Sequence, residues 1–310
     1  MRKLKLWFVP AFLCVASPCF SQNTPEVLFE KQGCERPQQG MALSGRTLFS
    51  LEDGGKVNVY DFRKADGKCI GSFFLASARE DNHANNAEFG IEKKRGATFP
   101  LLYVTVGKPG SEIDWICFVE SIRKKGGRFQ SELVQKIILD QCQGWEEKGY
   151  RAIFGAPSFL VDRERKGLWV FSAIKRTTPK VTKSFDENLY VATRFRLPAL
   201  SEGPEVRLGV NDILEQVTFP FDIGFTQAGC MSDGKIYYCF GLGNRSKSCP
   251  AGVRIYDTDS GEITGRYDLK ETVLQEPEDL FISEGWLYLN TNAVPAAETV
   301  PKVWRIDRVK

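Results

Sequence analysis

Short apolar runs separated by turn residues dominate the hydrophobic pattern of this chain. The runs are rich in Val, Ile, Tyr, Phe and Trp, and they end at Gly, Asp or Asn. Residues of the first kind favour strands, and those of the second favour the turns between strands. The segment that most resembles a helix, residues 132–139, fits a strand equally well. The pattern therefore predicts an all-β protein.

One unit of sequence recurs along the chain. Each copy has a polar or small start, an apolar strand, a tight turn and a second strand with an aromatic residue near its start. Equivalent residues of that second strand mark five copies: Leu48, Leu102, Leu168, Ile236 and Leu287. A further strand that ends in Asp follows most copies, and units of four antiparallel strands are the blades of a β-propeller. We predict a single β-propeller of four-stranded antiparallel blades, with five blades favoured and six if the long third unit contains another.

The repeat also predicts how the ring closes. The spacings between units exceed the ~40–50 residues of compact blades, so loops are inserted, notably at 80–98 and 177–187. The last unit ends at its third strand. Residues at about 27–30, ahead of the first unit, are predicted to supply the missing strand, because ring closure removes an exposed sheet edge. We therefore expect residues 22–310 to form one domain.

The first 21 residues have the three-part pattern of a secretory signal peptide. A basic start precedes an apolar stretch at 6–16, and the small residues Cys19 and Ser21 precede a cut ahead of Gln22. The apolar stretch is too short to span a membrane, and no later stretch has the ~18 apolar residues of a transmembrane helix. We expect an exported protein (periplasmic, cell-surface or secreted) without a transmembrane segment. Lipid attached to Cys19 is the alternative, although the residues ahead of it fit a lipidation site poorly.

Loss of this signal peptide balances the charge of the chain. The whole sequence has 42 Lys and Arg and 39 Asp and Glu, and the signal carries three of the basic residues, so 39 of each sign remain. Nucleic-acid-binding proteins usually keep a basic excess, which excludes nucleic acid as a partner. Seven cysteines remain of nine, and their odd number leaves at least one outside any intramolecular pair. A single histidine excludes a His-rich metal site.

Polar residues occupy the starts of the predicted inner strands. Equivalent positions in successive blades lie at equal radius from the axis, so these side chains are expected to converge at one mouth of a central funnel. Carboxylate and amide oxygens there can hold Ca²⁺ or a small polar ligand such as a sugar. The alternative is that they only fill a solvated channel. The candidate binding residues are Gln39, Asn85, Asn86, Gln227, Glu276 and Glu278; metal ligands remain unassigned.

Two residues are candidates for catalysis. His83 is the only histidine and lies just ahead of the second inner strand, which makes it the only candidate imidazole base. Glu278 is the candidate carboxylate. A lone histidine in a loop is more often a surface residue, and the turn at 257–261 lacks the twelfth-position Glu of a calcium loop. Catalytic residues therefore remain unassigned beyond these two candidates.

Several motifs carry a resemblance to known proteins. They are the repeated Leu-Tyr-Val strands, the Ile-Tyr-Asp and Gly-Glu-Ile hairpin at 255–263, and the Glu-Pro-Glu-Asp-Leu run at 276–280. In these the chain resembles the secreted β-propeller superfamilies, among them the glutaminyl-cyclotransferase-like, gluconolactonase-like and surface-antigen propellers. The resemblance covers nearly the whole mature chain but rests on generic blade features. It implies the fold and no particular reaction.

Two functions follow from these observations. The first is an exported binding module that recognises a glycan, a peptide or a protein partner through its central funnel. The alternative is a metal- or carboxylate-dependent hydrolase, lyase or cyclase that acts in the same funnel. Few acids and one histidine lie near the inner-strand starts, which favours binding. No cofactor is assigned, and Ca²⁺ is the ion that the funnel carboxylates would suit.

Overall fold

The computed structural model describes residues 24–174, 189–222, 224–295 and 299–309. The predicted signal peptide at 1–21, which includes Cys19, and the predicted inserted loop at 177–187 lie outside the described residues. Within the described ranges, no helix is long and apolar enough to cross a membrane.

In the described part of the chain, 21 strands form five sheets that are arranged as a five-bladed β-propeller, which confirms the predicted fold. Strand β1 (Glu26–Glu30) comes first and belongs to the last blade. Blade 1 contains β2 (Gln38–Ser44), β3 (Thr47–Glu52), β4 (Lys56–Asp61) and β5 (Cys69–Phe74). Blade 2 contains β6 (Asn86–Phe89), β7 (Leu102–Thr105), β8 (Ile116–Lys125) and β9 (Arg128–Leu139).

The remaining strands follow in the same way. Blade 3 contains β10 (Phe154–Asp162), β11 (Gly167–Ile174) and β12 (Leu189–Arg196), and after the separate strand β13 (Glu205–Leu208) it is completed by β14 (Glu215–Pro220). Blade 4 contains β15 (Thr226–Ser232), β16 (Lys235–Phe240), β17 (Gly252–Asp257) and β18 (Glu262–Asp268). Blade 5 contains β19 (Glu276–Ser283), β20 (Trp286–Asn292) and β21 (Lys302–Arg308).

The N-terminal strand completes blade 5. Strand β1 pairs antiparallel with β21, with Glu26 opposite Arg305 and Glu30 opposite Lys302. The pairing gives blade 5 its fourth strand and covers the edge that β21 would otherwise expose. Phe29 of β1 is buried against blade 1.

Blade 2 departs from the four antiparallel strands that the sequence predicts. Strand β13 adds a fifth strand at its outer edge, parallel to β9, with Glu205 opposite Lys136 and Leu208 opposite Leu139. The chain leaves blade 3 after β12, covers the edge of β9, and returns to form β14. This detour contributes to the length of the third unit, in which the sequence allowed for a sixth blade.

The core consists of five hydrophobic clusters, one between each pair of neighbouring blades. Side chains alternate between the two faces of a strand, and both faces of a blade are covered by its neighbours. In β3, for example, Leu48 packs between blades 5 and 1, whereas the adjacent Phe49 packs between blades 1 and 2. Strands buried on both faces appear in the sequence as short apolar runs.

Seven cysteines lie in the described residues, and none of them forms a disulfide there. Cys117, Cys230 and Cys239 are buried, and burial raises the pKa of all three thiols. These three therefore act as small apolar core residues.

Candidate functional site: the central ring and the adjoining cavity

The inner strands form a closed ring around the axis of the propeller. Each of β2, β6, β10, β15 and β19 contacts two neighbouring inner strands. We call the face at which these strands begin the entry face, and the opposite face, at which they end, the exit face. The seven residues predicted as candidates for binding or catalysis can therefore be located relative to one ring.

Asp279 of β19 ties three inner strands together inside this ring. Its Oδ2 accepts hydrogen bonds from the backbone N–H groups of Met41 in β2, at 2.7 Å, and Ala87 in β6, at 3.1 Å. Its Oδ1 accepts from Asn86 Nδ2 at 3.0 Å and from the N–H of Leu280 at 2.8 Å. Burial raises the pKa of Asp279, and the four donors act in the opposite direction. The carboxylate is a crosslink within the fold.

Glu88 of β6 makes a second crosslink on the other side of the ring. Its carboxylate accepts hydrogen bonds from the backbone N–H groups of Val161 in β10 and Met231 in β15. Burial raises the pKa of Glu88 to about 7. Together, Asp279 and Glu88 connect all five inner strands, because β19, β2 and β6 meet at the first and β6, β10 and β15 at the second.

The predicted binding residues of β19 are buried within the ring. Glu276 Oε1 accepts a hydrogen bond from Gln227 Nε2 at 3.2 Å, and the same carboxylate forms an ion pair with Arg245. Glu278 is 2% exposed and hydrogen-bonds the side chain of Asn292. Burial, together with the neighbouring Glu276, raises the pKa of Glu278 well above its ordinary value.

The amide side chains of Gln39 and Asn86 are also buried. Asn86 Nδ2 donates to the carbonyl of Gly229 at 2.6 Å as well as to Asp279. Among the described residues, the side-chain oxygens of Gln39 and Asn86 have no hydrogen-bond partner. These two residues and the β19 carboxylates thus lie inside the ring, away from the cavity described next.

A cavity of about 640 Å³ opens on the entry face over blades 2, 3 and 4. Three predicted residues line it: His83, Asn85 and Gln227. Its aromatic lining is formed by Phe154, Phe171, Tyr190, Phe221, Phe225 and Tyr238. Further polar lining residues are Ser172, Asp222, Thr226 and Ser248. Phe154 and Phe225 are 47% and 49% exposed, so their rings are accessible to a ligand.

His83 is oriented at this cavity by a carboxylate. Its Nδ1 lies 3.0 Å from Asp53 Oδ1, and both side chains are about one-third exposed. With Nδ1–H donating to Asp53, Nε2 is left to accept a hydrogen bond or a proton. The pair therefore supplies one oriented imidazole to the cavity wall.

The position of Asn85 depends on a glycine. Gly107, in the connection after β7, has φ of +67°, and a Cβ at this position would lie 2.2 Å from the Cβ of Asn85. Only glycine allows this approach and this backbone conformation at low energy. The packing of Gly107 against Asn85 fixes the amide at the cavity edge.

Hydrogen bonds fix the side chain of Gln227, and ion pairs compensate the charge of Asp222, which also lines the cavity. Gln227 Nε2 donates to the carbonyl of Gly241 at 3.1 Å as well as to Glu276. Asp222 accepts from Arg254 Nε at 2.8 Å and from Arg266 Nε at 3.3 Å. The carboxylate that faces the cavity is thus compensated by guanidinium groups.

The aromatic lining of the cavity and Asp53 are not among the residues predicted from the sequence. Phe154 is the first residue of β10, and Phe225 directly precedes β15, so both occupy the same position in their blades as the predicted polar residues. A search of inner-strand starts for aromatic as well as polar residues would have found them. The approach of Asp53 to His83 spans blades 1 and 2 and has no sequence signal.

Within the described part of the chain, no three His, Cys, Asp or Glu side chains are grouped in a way that could hold a metal ion. The expectation that Ca²⁺ binds in the funnel stays a prediction.

No protein-family model matches this chain, and no curated protein is similar to it in sequence. Solved structures are similar in fold. The tail fibre of Staphylococcus aureus phage P68 is 10% identical over 92% of this chain, with a TM-score of 0.53, and the chain spans 53% of that protein. The likeness is one of fold.

Two enzymes are also among the similar structures. Myxococcus xanthus glutaminyl cyclase is 12% identical over 93% of this chain and 98% of its own, with a TM-score of 0.48. A glucose dehydrogenase is 11% identical over 93% of this chain and 100% of its own, also at 0.48. The generic propeller resemblance seen in the sequence is confirmed, and at these identities it says nothing about a reaction.

Proposed function

We propose that this protein is a binding module that holds a glycan in the cavity over blades 2, 3 and 4. The observation that carries the proposal is the pairing of accessible aromatic rings with fixed neutral polar groups. Phe154 and Phe225 present rings on which the C–H face of a sugar can pack, and the amides of Asn85 and Gln227 can hydrogen-bond its hydroxyls.

The electrostatics of the cavity favour a neutral ligand. Asp222 is compensated by Arg254 and Arg266, and Asp53 interacts with His83. An ionic ligand would lack an available partner of opposite charge among these groups, and desolvating an unpaired charge is costly. Binding of a neutral, hydroxyl-rich ligand does not require an unpaired charge to be desolvated.

The size of the cavity supports a small ligand. About 640 Å³ lies within the ~300–1,000 Å³ range of small-molecule sites. This volume suits the end of an oligosaccharide better than a folded partner protein. The predicted export, which the N-terminal sequence indicates, would bring the protein to a compartment where glycans are abundant.

Binding to an array of neutral glycans tests the proposal. We expect wild-type protein to bind a subset of them, and Phe154→Ala and Phe225→Ala each to weaken binding at least about tenfold, which corresponds to ~1.4 kcal/mol. Phe74→Ala is the matched control, because Phe74 is 65% exposed on the outer strand of blade 1. Absence of glycan binding, or an equal loss in Phe74→Ala, would refute the proposal.

A second function, hydrolysis of a bound glycan or ester, is favoured by one observation. His83 lines the cavity and is oriented by Asp53, which is the arrangement of a general base that activates water. Nitrophenyl glycosides and esters provide the assay. Turnover that is lost in His83→Ala while ligand affinity is kept would support hydrolysis. Binding without turnover in the wild-type protein would refute hydrolysis and support binding as the function of the cavity.

A further inference from the structure

A cluster of basic side chains projects from blade 2. Three of them follow β6 in the loop at 93–95, and four lie in the β8–β9 hairpin at 123–128. We call these seven residues the basic lobe: Lys93, Lys94, Arg95, Arg123, Lys124, Lys125 and Arg128. The chain as a whole, without its predicted signal peptide, has equal numbers of basic and acidic residues. The local excess is therefore a distinct feature of this surface.

The basic lobe is held in place by the fold. The backbone N–H of Lys124 donates to Thr98 Oγ1 at 2.8 Å, and the N–H of Thr98 donates to the carbonyl of Ile122 at 3.0 Å. Phe129, between the lobe residues and the core, is buried between blades 1 and 2. The loop and the hairpin consequently present their charges from one ordered surface.

A small depression of about 160 Å³ lies within the lobe. Lys94, Arg95 and Arg123 line it, together with the hydroxyl side chains of Ser121 and Ser131. Glu132 also borders it and forms an ion pair with Lys94. The Ser131 hydroxyl donates to Glu120 Oε2 at 2.7 Å. The two guanidinium groups and the Ser121 hydroxyl are therefore the donors of the kind that hold a tetrahedral oxyanion.

The lobe and the cavity lie at opposite ends of blade 2. Strand β6 begins next to Asn85, which lines the cavity, and ends at Phe89, ahead of the loop that carries Lys93–Arg95 in sequence. The basic lobe is therefore on the exit face, and a ligand there would not compete with one in the cavity.

We propose that the basic lobe binds the sulfate or phosphate groups of an acidic polysaccharide. Seven cationic side chains supply the long-range attraction, and the depression supplies a place for one oxyanion. The hydroxyl of Ser121 suits the ester and hydroxyl oxygens around such a group. The site is separate from the proposed neutral-glycan site and goes beyond it.

Other anionic partners fit the lobe less well. Ile122 and Phe129 of the hairpin are buried, and Ile91, 47% exposed ahead of the loop, is a single aliphatic side chain, which offers little apolar area to insert into a lipid bilayer. Because Phe129 is buried, the described lobe offers no aromatic ring on which a nucleic-acid base could stack.

Binding of full-length protein to immobilised heparin, a sulfated polysaccharide, tests the inference. We expect affinity that falls as the salt concentration rises, as in other polyanion complexes. The combined variant Arg95→Gln, Arg123→Gln and Lys125→Gln should lose at least about tenfold in affinity at low salt. The combined variant Lys148→Gln, Arg151→Gln and Arg207→Gln removes three exposed charges elsewhere and should keep its affinity.

Three results would overturn the proposal. They are no binding to heparin, an equal loss in both combined variants, and equally tight binding of phosphatidylglycerol vesicles or duplex DNA through the same three residues. If the lobe variant does not fold, Arg95→Gln alone replaces it, since Arg95 is exposed in a loop; a twofold or smaller loss in that variant would then overturn the proposal.

Discussion

At the scale of single residues, the buried carboxylates of the ring are the most consequential side chains. Every hydrogen bond assigned to Asp279 and Glu88 is donated to a carboxyl oxygen by an N–H group of a ring strand. An amide in either place would turn an NH₂ group toward N–H donors. The two acceptor oxygens of each carboxyl group, rather than its size, are therefore what the fold requires at these positions.

Asp279→Asn tests this requirement. The variant should lower the free energy of unfolding by about 3 kcal/mol, because at least one buried N–H group loses its acceptor and gains a repulsive neighbour. Urea unfolding measures the change. Asp268→Asn, at an exposed position, is the matched control and should change stability by less than ~0.5 kcal/mol. Equal stability of the two variants would contradict the crosslinking role.

Glu88 gives the stability of the protein a specific pH dependence. Its pKa rises from 4.5 to about 7 on folding, so the folded protein binds this proton more tightly than the unfolded chain does. The stabilisation is fully present below pH 4.5 and is lost as the pH rises to about 7, a change of about 3 kcal/mol. Urea unfolding of wild type and Glu88→Gln across this range isolates the contribution, because the amide does not titrate. Parallel profiles for the two proteins would be inconsistent with it.

At the scale of elements, the closing strand β1 buries Phe29 most fully, and Leu28 is partly buried against the same cluster. Phe29 is 5% exposed and packs against Tyr60 of blade 1, whereas Val27 in the same strand is 41% exposed. Burial of a phenylalanine contributes far more than a half-exposed valine, so the strand's apolar contribution is concentrated in Phe29.

Two changes test the closing strand by thermal or urea unfolding. Phe29→Ala should cost about 3 kcal/mol, and Val27→Ala, its matched control in the same strand, less than ~0.5 kcal/mol. Deletion of residues 22–32 should cost more than Phe29→Ala, since it also exposes the edge of β21. A deletion variant that unfolds like wild type would show that the segment is not part of the ring.

The strands are the part of the fold that the sequence pattern predicts best. The apolar run of each inner strand and the aromatic residue near the start of its partner reflect burial on both faces, which leaves a local signal in every blade. Strand β13 left no such signal. Its four residues pair with β9, far away in sequence, and its parallel pairing depends on the route of a connection rather than on a local pattern.

At the scale of the whole molecule, the predicted residues form two groups. One group is buried inside the ring, and the other lines the entry-face cavity. Position in the blade predicted that polar side chains would gather near the axis, because equivalent positions share one radius. It could not predict which would be buried, since a five-stranded ring leaves little open space and Gln39, Asn86 and Glu278 fill it. The cavity is lined by residues that precede or begin β10 and β15, and the geometry of such connections is not encoded in the repeat.

Export is a property of the whole chain and remains a prediction. Mass spectrometry of the mature protein should find Gln22 at the N-terminus, because the small residues Cys19 and Ser21 fit the cleavage site. A diacylated Cys19 would instead show a lipid anchor, and a chain that retains Met1 would show that the segment is not removed.

Our main proposal is that the entry-face cavity binds a neutral glycan. A crystal structure of the protein soaked with the tightest-binding glycan from an array tests it most directly. We predict density for a sugar ring packed on Phe154 or Phe225, with a hydroxyl within hydrogen-bond distance of Asn85 or Gln227. A glycan bound at any other place, with the cavity holding only solvent, would contradict the account.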